Sequence, residues 1–266
     1  MFPFPEFGKH NLHTHNRYWL NFPSSFLKIG SNRIDRLKVY ADYVFQIPGT
    51  GTQYPIQPGQ SIVIAQSAIN HKSPLVDNNG DPINIGDPSL TVDLSTAEFE
   101  SYLGDFRQSI GEPVYQWDIQ NPAVQDLNIA YWGIPGWYNG NKDFIMDGNG
   151  RDSFIIFRSN NFSNYDAFTD PSVTNVSTNS KYFLQIPNAD IIDAVELQHY
   201  NPSKQRPKML NAAFDASSIK CDAAYNSQSV VRKIKTTTTN GRVILEDTNN
   251  SAQDFQVIKA NPKGFN

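Results

Sequence analysis

The sequence predicts an all-β fold, a β-sandwich with one or two short helices and long loops, and three observations carry that expectation. Seven or more short runs rich in β-branched and aromatic residues recur along the chain, among them DSFIIFR, KYFLQIP, DIIDAVELQ, SVVRKIK and GRVILED. Turn-formers separate them: 27 Asn, 16 Gly and 17 Pro punctuate the chain, because Asn and Gly tolerate left-handed backbone and Pro presets turn geometry. Helical periodicity is scarce, so strands must supply the core.

Taken in order, residues 1–36 (Met1 to Arg36) are rich in Phe, Pro, His and Asn, show neither helical nor strand period, and read as an irregular arm. Phe2, Phe4, Phe7, Trp19, Phe22 and Phe26 make the arm too apolar for a solvated tail, so it is expected to lie on its own domain or on a partner. The main domain spans 37–258. From Leu37, LKVYADYVFQIP has strand composition and stops at Pro48, before the turn cluster GTGTQYPIQPG. QSIVIAQSAI suits a strand buried on both faces, and DNNGDPINIGDP is a loop by composition. In LSTAEFESYL, Ser95 and Glu98 have capping-box spacing, while Phe99 and Leu103 form a short apolar stripe, which predicts a satellite helix. Near the end, Asn240-Gly241 is the turn pair of a hairpin, and residues 259–266 form a tail.

Composition limits the function classes. Hydrophobic content of 39% with 18% charge is globular, and a chain of 266 residues can bury a sizeable core. The net charge of -4 leaves no basic footprint, which argues against nucleic-acid partners. Cys221 is the single cysteine, so no disulfide forms within the chain, and it reads as a small buried residue. No run of about 18 apolar residues is present to span a bilayer. MFPFPEFGKH lacks a signal peptide's charged start and apolar stretch, so an exported native protein would be represented here by a processed or partial chain.

Four clusters carry candidate chemistry. His10, His13 and His15 lie close together but lack a ligand set of recognisable spacing. Asp147, Asn149 and Asp152 in DGNGRD resemble a weak calcium loop, although the Asn149-Gly150 hairpin turn explains the same residues with nothing bound. Tyr131, Trp132, Trp137 and Tyr138 surround Gly133, Pro135 and Gly136, and could stack a ligand or plug the end of a sandwich. Finally, Asp247, Asn249, Ser251 and Asp254 crowd the end of the VILED strand, which reads as a structural turn: Ser251 and Asp254 have S-x-x-D spacing, and Asp247 and Asn249 can bond backbone two residues on. No serine elbow, metalloprotease helix, phosphate loop or dinucleotide glycine pattern occurs, so no catalytic residue and no cofactor are implied. A hydrolase would need carboxylates brought together only by the fold.

Three blocks together look like a known family: YVFQIPGTGTQYPIQPGQSIVIAQSAINH, IPNADIIDAVEL, and SQSVVRKI followed by VILEDTNNSAQDF. They resemble an uncharacterised domain of Bacteroidota surface lipoproteins similar to the lamin-tail, immunoglobulin-like β-sandwich. The resemblance implies a strand at QSVVRK and a sandwich closed by DTNNSAQDF. Such domains begin with a strand pair that Met1 to Arg36 does not match. Either the arm replaces those strands, residues are lost before Met1, or an edge is open to a partner strand.

The expected function is a non-catalytic cell-surface module, an accessory lipoprotein subunit of an outer-membrane protein assembly such as a nutrient-uptake transporter complex. It would sit on the extracellular face of the bacterial outer membrane, a setting taken from the resemblance. The loops Asp77 to Asp87 and Tyr131 to Tyr138 are the expected contact sites. The alternative is a glycan- or peptide-binding module using the loop aromatics. On that alternative, Trp132→Ala or Trp137→Ala abolishes ligand binding and leaves the thermal midpoint nearly unchanged, which a binding titration beside a melting curve checks.

Overall fold

A computed structural model of the chain describes residues 17–22, 38–41, 43–133, 153–159, 162–169, 175, 177, 182–205 and 208–263. Among them the regular secondary structure is mostly strand, with few short helices, as an all-β reading requires. In chain order the elements begin with β1 (Arg17–Phe22), β2 (Lys38–Ala41), β3 (Tyr43–Gln46), β4 (Ile64–Ala65), β5 (Leu75–Val76), β6 (Pro82–Ile83) and β7 (Phe99–Glu100). Then come α1 (Gly104–Ser109), β8 (Gln125–Asp126), β9 (Asn128–Trp132), β10 (Ser153–Ser159), β11 (Ala167–Thr169), β12 (Tyr182–Pro187) and β13 (Ile191–Glu196). The last are β14 (Gln228–Arg232), β15 (Ile234–Thr237), β16 (Val243–Leu245), α2 (Ser251–Asp254) and β17 (Phe255–Lys259).

The largest sheet has the order β13-β10-β1-β3-β9, with every neighbouring pair antiparallel. Its composition follows from burial on both faces. Strand side chains alternate between faces, and here both alternations are apolar. Val44, Ile155, Phe157 and Ala194 pack with Val39, Ala41, Leu184 and Ile186 from the three-stranded sheet β11-β12-β2. On the opposite face Phe45 and Ile156 pack with Phe99, Leu103 and Leu127. That is why SFIIFRS reads as a continuous apolar run rather than an alternating one. A smaller cluster, Val195, Val230 and Phe255, ties the antiparallel pair β14-β17 to β13.

Several expectations are corrected. Residues 1–36 are not irregular throughout: Arg17–Phe22 form β1, which lies inside the large sheet between β10 and β3. The chain thus supplies this strand itself, which removes the reason to invoke a partner strand there. LKVYADYVFQIP is not one strand; β2 and β3 belong to different sheets and are separated by residue 42 alone. SVVRKIK likewise divides into β14 and β15 at Lys233, whose N–H donates to the Asp254 carbonyl and whose carbonyl accepts from Glu246.

The satellite helix expected from Ser95 does not form. The Glu98 and Phe99 amides both donate to the Val63 carbonyl, at 3.1 and 3.2 Å, and Ser101 N–H donates to Ala65. Glu98 accepts from the Val63 amide at 2.7 Å instead of reaching back to Ser95, and Ser95 bonds Asp93. Pairing with a segment over thirty residues away overrides the local capping signal, and the same parallel pairing limits QSIVIAQSAI to the two residues of β4. The helix that does form, α1, starts at Gly104 with no side-chain cap. The Asn240-Gly241 hairpin is present: Gly241 has φ 82° and its N–H donates to Thr238 between β15 and β16.

Phe45 is fully buried on the doubly covered sheet, whereas Tyr225 is 94% exposed. Phe45→Ala is expected to lower unfolding stability by about 3–5 kcal/mol and Tyr225→Ala by less than about 0.5 kcal/mol in denaturant titrations.

Candidate interaction surface and its buried carboxylates

Loops between short strands carry peptide N–H groups outside any ladder, and each buried one needs an acceptor. The turn between β5 and β6 solves this with Asp77. Its buried Oδ1 accepts from the Asn79 and Asp81 amides, both at 2.9 Å. The next residue then fastens the turn to a second loop. Asn78 N–H donates to the Gln116 carbonyl at 2.8 Å, and Asn78 Nδ2 donates to the carbonyls of Tyr115 (2.9 Å) and Asp118 (3.0 Å).

That second loop is held from below. Buried Asp118 accepts from the Leu103 amide at 2.9 Å, Arg107 of α1 donates to the Pro113 carbonyl at 2.8 Å, and its guanidinium lies 6.0 Å from the Tyr115 ring centre. Tyr115 in turn meets Trp117 edge to face at 5.4 Å. The result is two interlocked loops that leave Val76 56% and Trp117 49% exposed. Large side chains held half out of a fixed loop lose little freedom on contact, which is what an interaction surface needs.

Beneath this region lies a carboxyl pair. Glu100 and Asp126 face each other across β7 and β8, and Glu100 is fully buried. One Glu100 oxygen accepts from the Ala68 amide at 2.9 Å and the other from Asn121 at 2.8 Å. The nearby Asp126 carboxyl, whose Oδ2 accepts from Gln120 Nε2 at 2.9 Å, disfavours a second negative charge on Glu100. Burial, reinforced by Asp126, pushes Glu100 up to about 7, and burial raises Asp126 as well. A hydrolase would need such a pair to face substrate. Here both Glu100 oxygens are occupied by main chain, so the pair fastens three segments together.

A second buried polar cluster closes the end of the fold. Arg232, at 2% exposure, ion-pairs with Asp193 at 2.7 Å, Asp247 at 3.2 Å and Asp254 at 3.6 Å, and lies 4.8 Å from the Phe255 ring centre. Asp254 accepts from the amides of Thr248 (2.9 Å) and Asn250 (3.1 Å). Ser251 turns to Asp215 rather than to Asp254: its N–H donates to Asp215 at 2.9 Å, and its hydroxyl also bonds that carboxylate. Asn249 adopts φ 55°, which aims its carbonyl at the Ala216 amide, 2.6 Å away. Glu196 accepts from the Met209 and Leu210 amides and pairs with Lys208 at 2.8 Å.

With this geometry in hand, the family can be assigned. A family model described as "Protein of unknown function (DUF4876)" matches residues 57–262. The chain belongs to the DUF4876 family. A crystal structure of a DUF4876 family protein from Bacteroides thetaiotaomicron is similar, with a TM-score of 0.65 and 23% identity over 97% of this chain and 67% of that one. At that identity the likeness concerns the fold. No curated protein matches the chain.

In this DUF4876 chain the aromatic cluster is divided. Tyr131 packs against the core cluster on one face of β9. Trp132 packs on the other, 4.4 Å from the Tyr43 ring and 5.3 Å from the Phe106 ring. The two therefore do not share a stacking surface, and truncating Trp132 removes core contacts, so an effect confined to ligand binding is not what its surroundings support. Trp137 and Tyr138 lie outside the described residues, as do Asp147, Asn149 and Asp152 and the three N-terminal histidines. Among the described residues no group of three or more His, Cys, Asp and Glu is placed to hold a metal ion. None of their helices is long and apolar enough to cross a membrane. Cys221 is half-buried beside β13 and β14, and burial pushes its thiol up.

Sequence reasoning singled out the Asp77 turn but missed Trp117, Glu100, Asp126 and Arg232. The turn has a local composition signal, whereas the partners of the others lie far along the chain: 32 residues separate Glu100 from Ala68, and 39 separate Arg232 from Asp193.

Glu100 is raised to about 7, and Asp193 is raised by burial to about 6 against the opposing pull of Arg232. A raised carboxyl favours the folded state fully below its unfolded pKa of about 4, and that contribution is lost as pH climbs through 6 and 7. The melting temperature should therefore rise as pH falls from 8 to 5, with Glu100 contributing roughly 1–3 kcal/mol. Glu100→Gln should lower stability but flatten this slope, and an unchanged slope in calorimetry would contradict the assignment.

Proposed function

We propose that this DUF4876 protein is a non-catalytic interaction module. Its sheets form an immunoglobulin-like, lamin-tail-related sandwich. It acts as an accessory lipoprotein of an outer-membrane assembly, such as a nutrient-uptake transporter complex, on the extracellular face of that membrane. The membrane setting rests on the sequence resemblance. The molecular part rests on one observation: the Asn78 side chain locks the 77–81 turn to the 113–118 loop and leaves Val76 and Trp117 outward. Against a catalytic role stands the engagement of the buried carboxylates Glu100, Asp118, Asp215 and Asp254 with backbone amides.

Affinity purification from the native envelope in mild detergent, followed by mass spectrometry, tests this reading. The wild-type protein should bring down an outer-membrane partner in stoichiometric amount, and a Val76→Asp/Trp117→Ala variant should lose it while melting like the wild type. Recovery of the protein alone, or a partner retained by the variant, would sink the proposal.

A further inference from the structure

We infer, in a step that rests on the interaction-module reading above, that the partner of the Val76 and Trp117 surface is a basic protein presenting lysine or arginine side chains around an apolar socket.

The charge of the chain is concentrated at this surface. Of its 26 acidic and 22 basic residues, the β5–β6 hairpin (75–83) and the stretch from α1 through the following loop (104–118) hold five and one. These two segments therefore carry the whole net charge of -4, and the rest of the chain sums to zero. Their one base, Arg107, is buried and donates to the Pro113 carbonyl. Lys72, the nearest lysine along the chain, acts on Asp93. Two of the five acids, Asp77 and Asp118, are buried and accept from main-chain amides. The other three reach the surface: Asp81 and Asp105 are exposed and Glu112 is half-buried. None of the three makes an ion pair among the described residues. The field is negative below the surface as well. Burial and the carboxylates of Asp118, Asp105, Asp126 and Glu100 push the Tyr102 phenol up, with no cation among the groups that act on it.

The same segments offer apolar groups for a partner to grip. Ile110, at the end of α1, is 45% exposed and adds to Val76 and Trp117. Their backbones are tied together: Asn78 fastens the hairpin to the 113–118 loop, and the Glu112 amide donates to the Arg107 carbonyl at 2.8 Å where that loop leaves α1. Apolar groups set among uncompensated acids select a partner by charge as well as by fit. Such a surface repels anionic lipid headgroups and nucleic acid, and two copies of it pressed together oppose acid with acid. A basic protein surface answers both the charge and the apolar groups.

Selection of random phage-displayed peptides on the immobilised full chain, followed by surface plasmon resonance of the enriched peptides, tests the inference. Enriched peptides should carry an excess of Lys and Arg beside an aromatic or aliphatic residue, and Trp117→Ala should abolish their binding. Their association rate should fall about tenfold or more in Asp81→Asn/Asp105→Asn/Glu112→Gln, and its salt dependence should flatten. Asp81→Asn/Glu112→Gln, which leaves the first turn of α1 untouched, should change both in the same direction, and melting curves check that the variants fold. Peptides without a basic excess, or an unchanged association rate in the neutralised variants while Trp117→Ala still abolishes binding, overturn the basic partner and leave the interaction-module reading standing. A dimer in sedimentation that Trp117→Ala dissolves makes a second copy the occupant and also overturns it. No enrichment, or binding indifferent to Trp117→Ala, counts against the surface itself and so against both.

Discussion

The constraint on which this fold depends is the satisfaction of main-chain amides where the described strands run from only two to seven residues. A buried N–H without an acceptor costs about 1–3 kcal/mol, and short ladders leave many amides outside them. The chain meets this with carboxylates placed as deep as its largest apolar side chains. Glu100, Asp118, Asp215 and Asp254 are each exposed by 1% or less, and each accepts from backbone. Charge-assisted bonds of this kind are roughly twice as strong as neutral ones. They fasten the long loops to the sheets they join.

The same device decides how much of the structure could be read from the sequence. Strands β10, β12 and β13 were legible because an apolar run bounded by turn residues is local information. Loop fastening is not local. Ser95 and Glu98 carry every local mark of a helix start, yet the amide of Val63 captures Glu98 and the segment becomes part of a parallel pair. The strand at Arg17–Phe22 was equally hidden, since nothing in its surrounding composition distinguishes RYWLNF from the rest of an aromatic-rich segment. Among candidate sites, composition marked the Asp77 turn but not its docking on the Tyr115, Gln116 and Asp118 carbonyls. It drew together Tyr131 and Trp132, which the alternation of a strand sends to opposite faces.

What remains after this structural use of polar groups is small in extent. Most acidic side chains near the core are occupied by main chain or by Arg232, and the exposed large apolar groups are scattered over loops and short strands. Against that background the half-exposed Val76 and Trp117, carried by two interlocked loops, stand out as groups suited to contact with another macromolecule.

The passage from β2 to β3 has a mechanical meaning. One residue links a strand of the three-stranded sheet to a strand of the five-stranded sheet, a span of two Cα–Cα steps, or about 7–8 Å. With so short a tether the layers cannot slide past each other by even one strand spacing without breaking a ladder. Val39, Ala41 and Val44, on either side of the tether, are packed in the same cluster. Tension applied to one layer is therefore delivered directly to the other, and the pair must yield as a unit, like a folded plate creased along a single line.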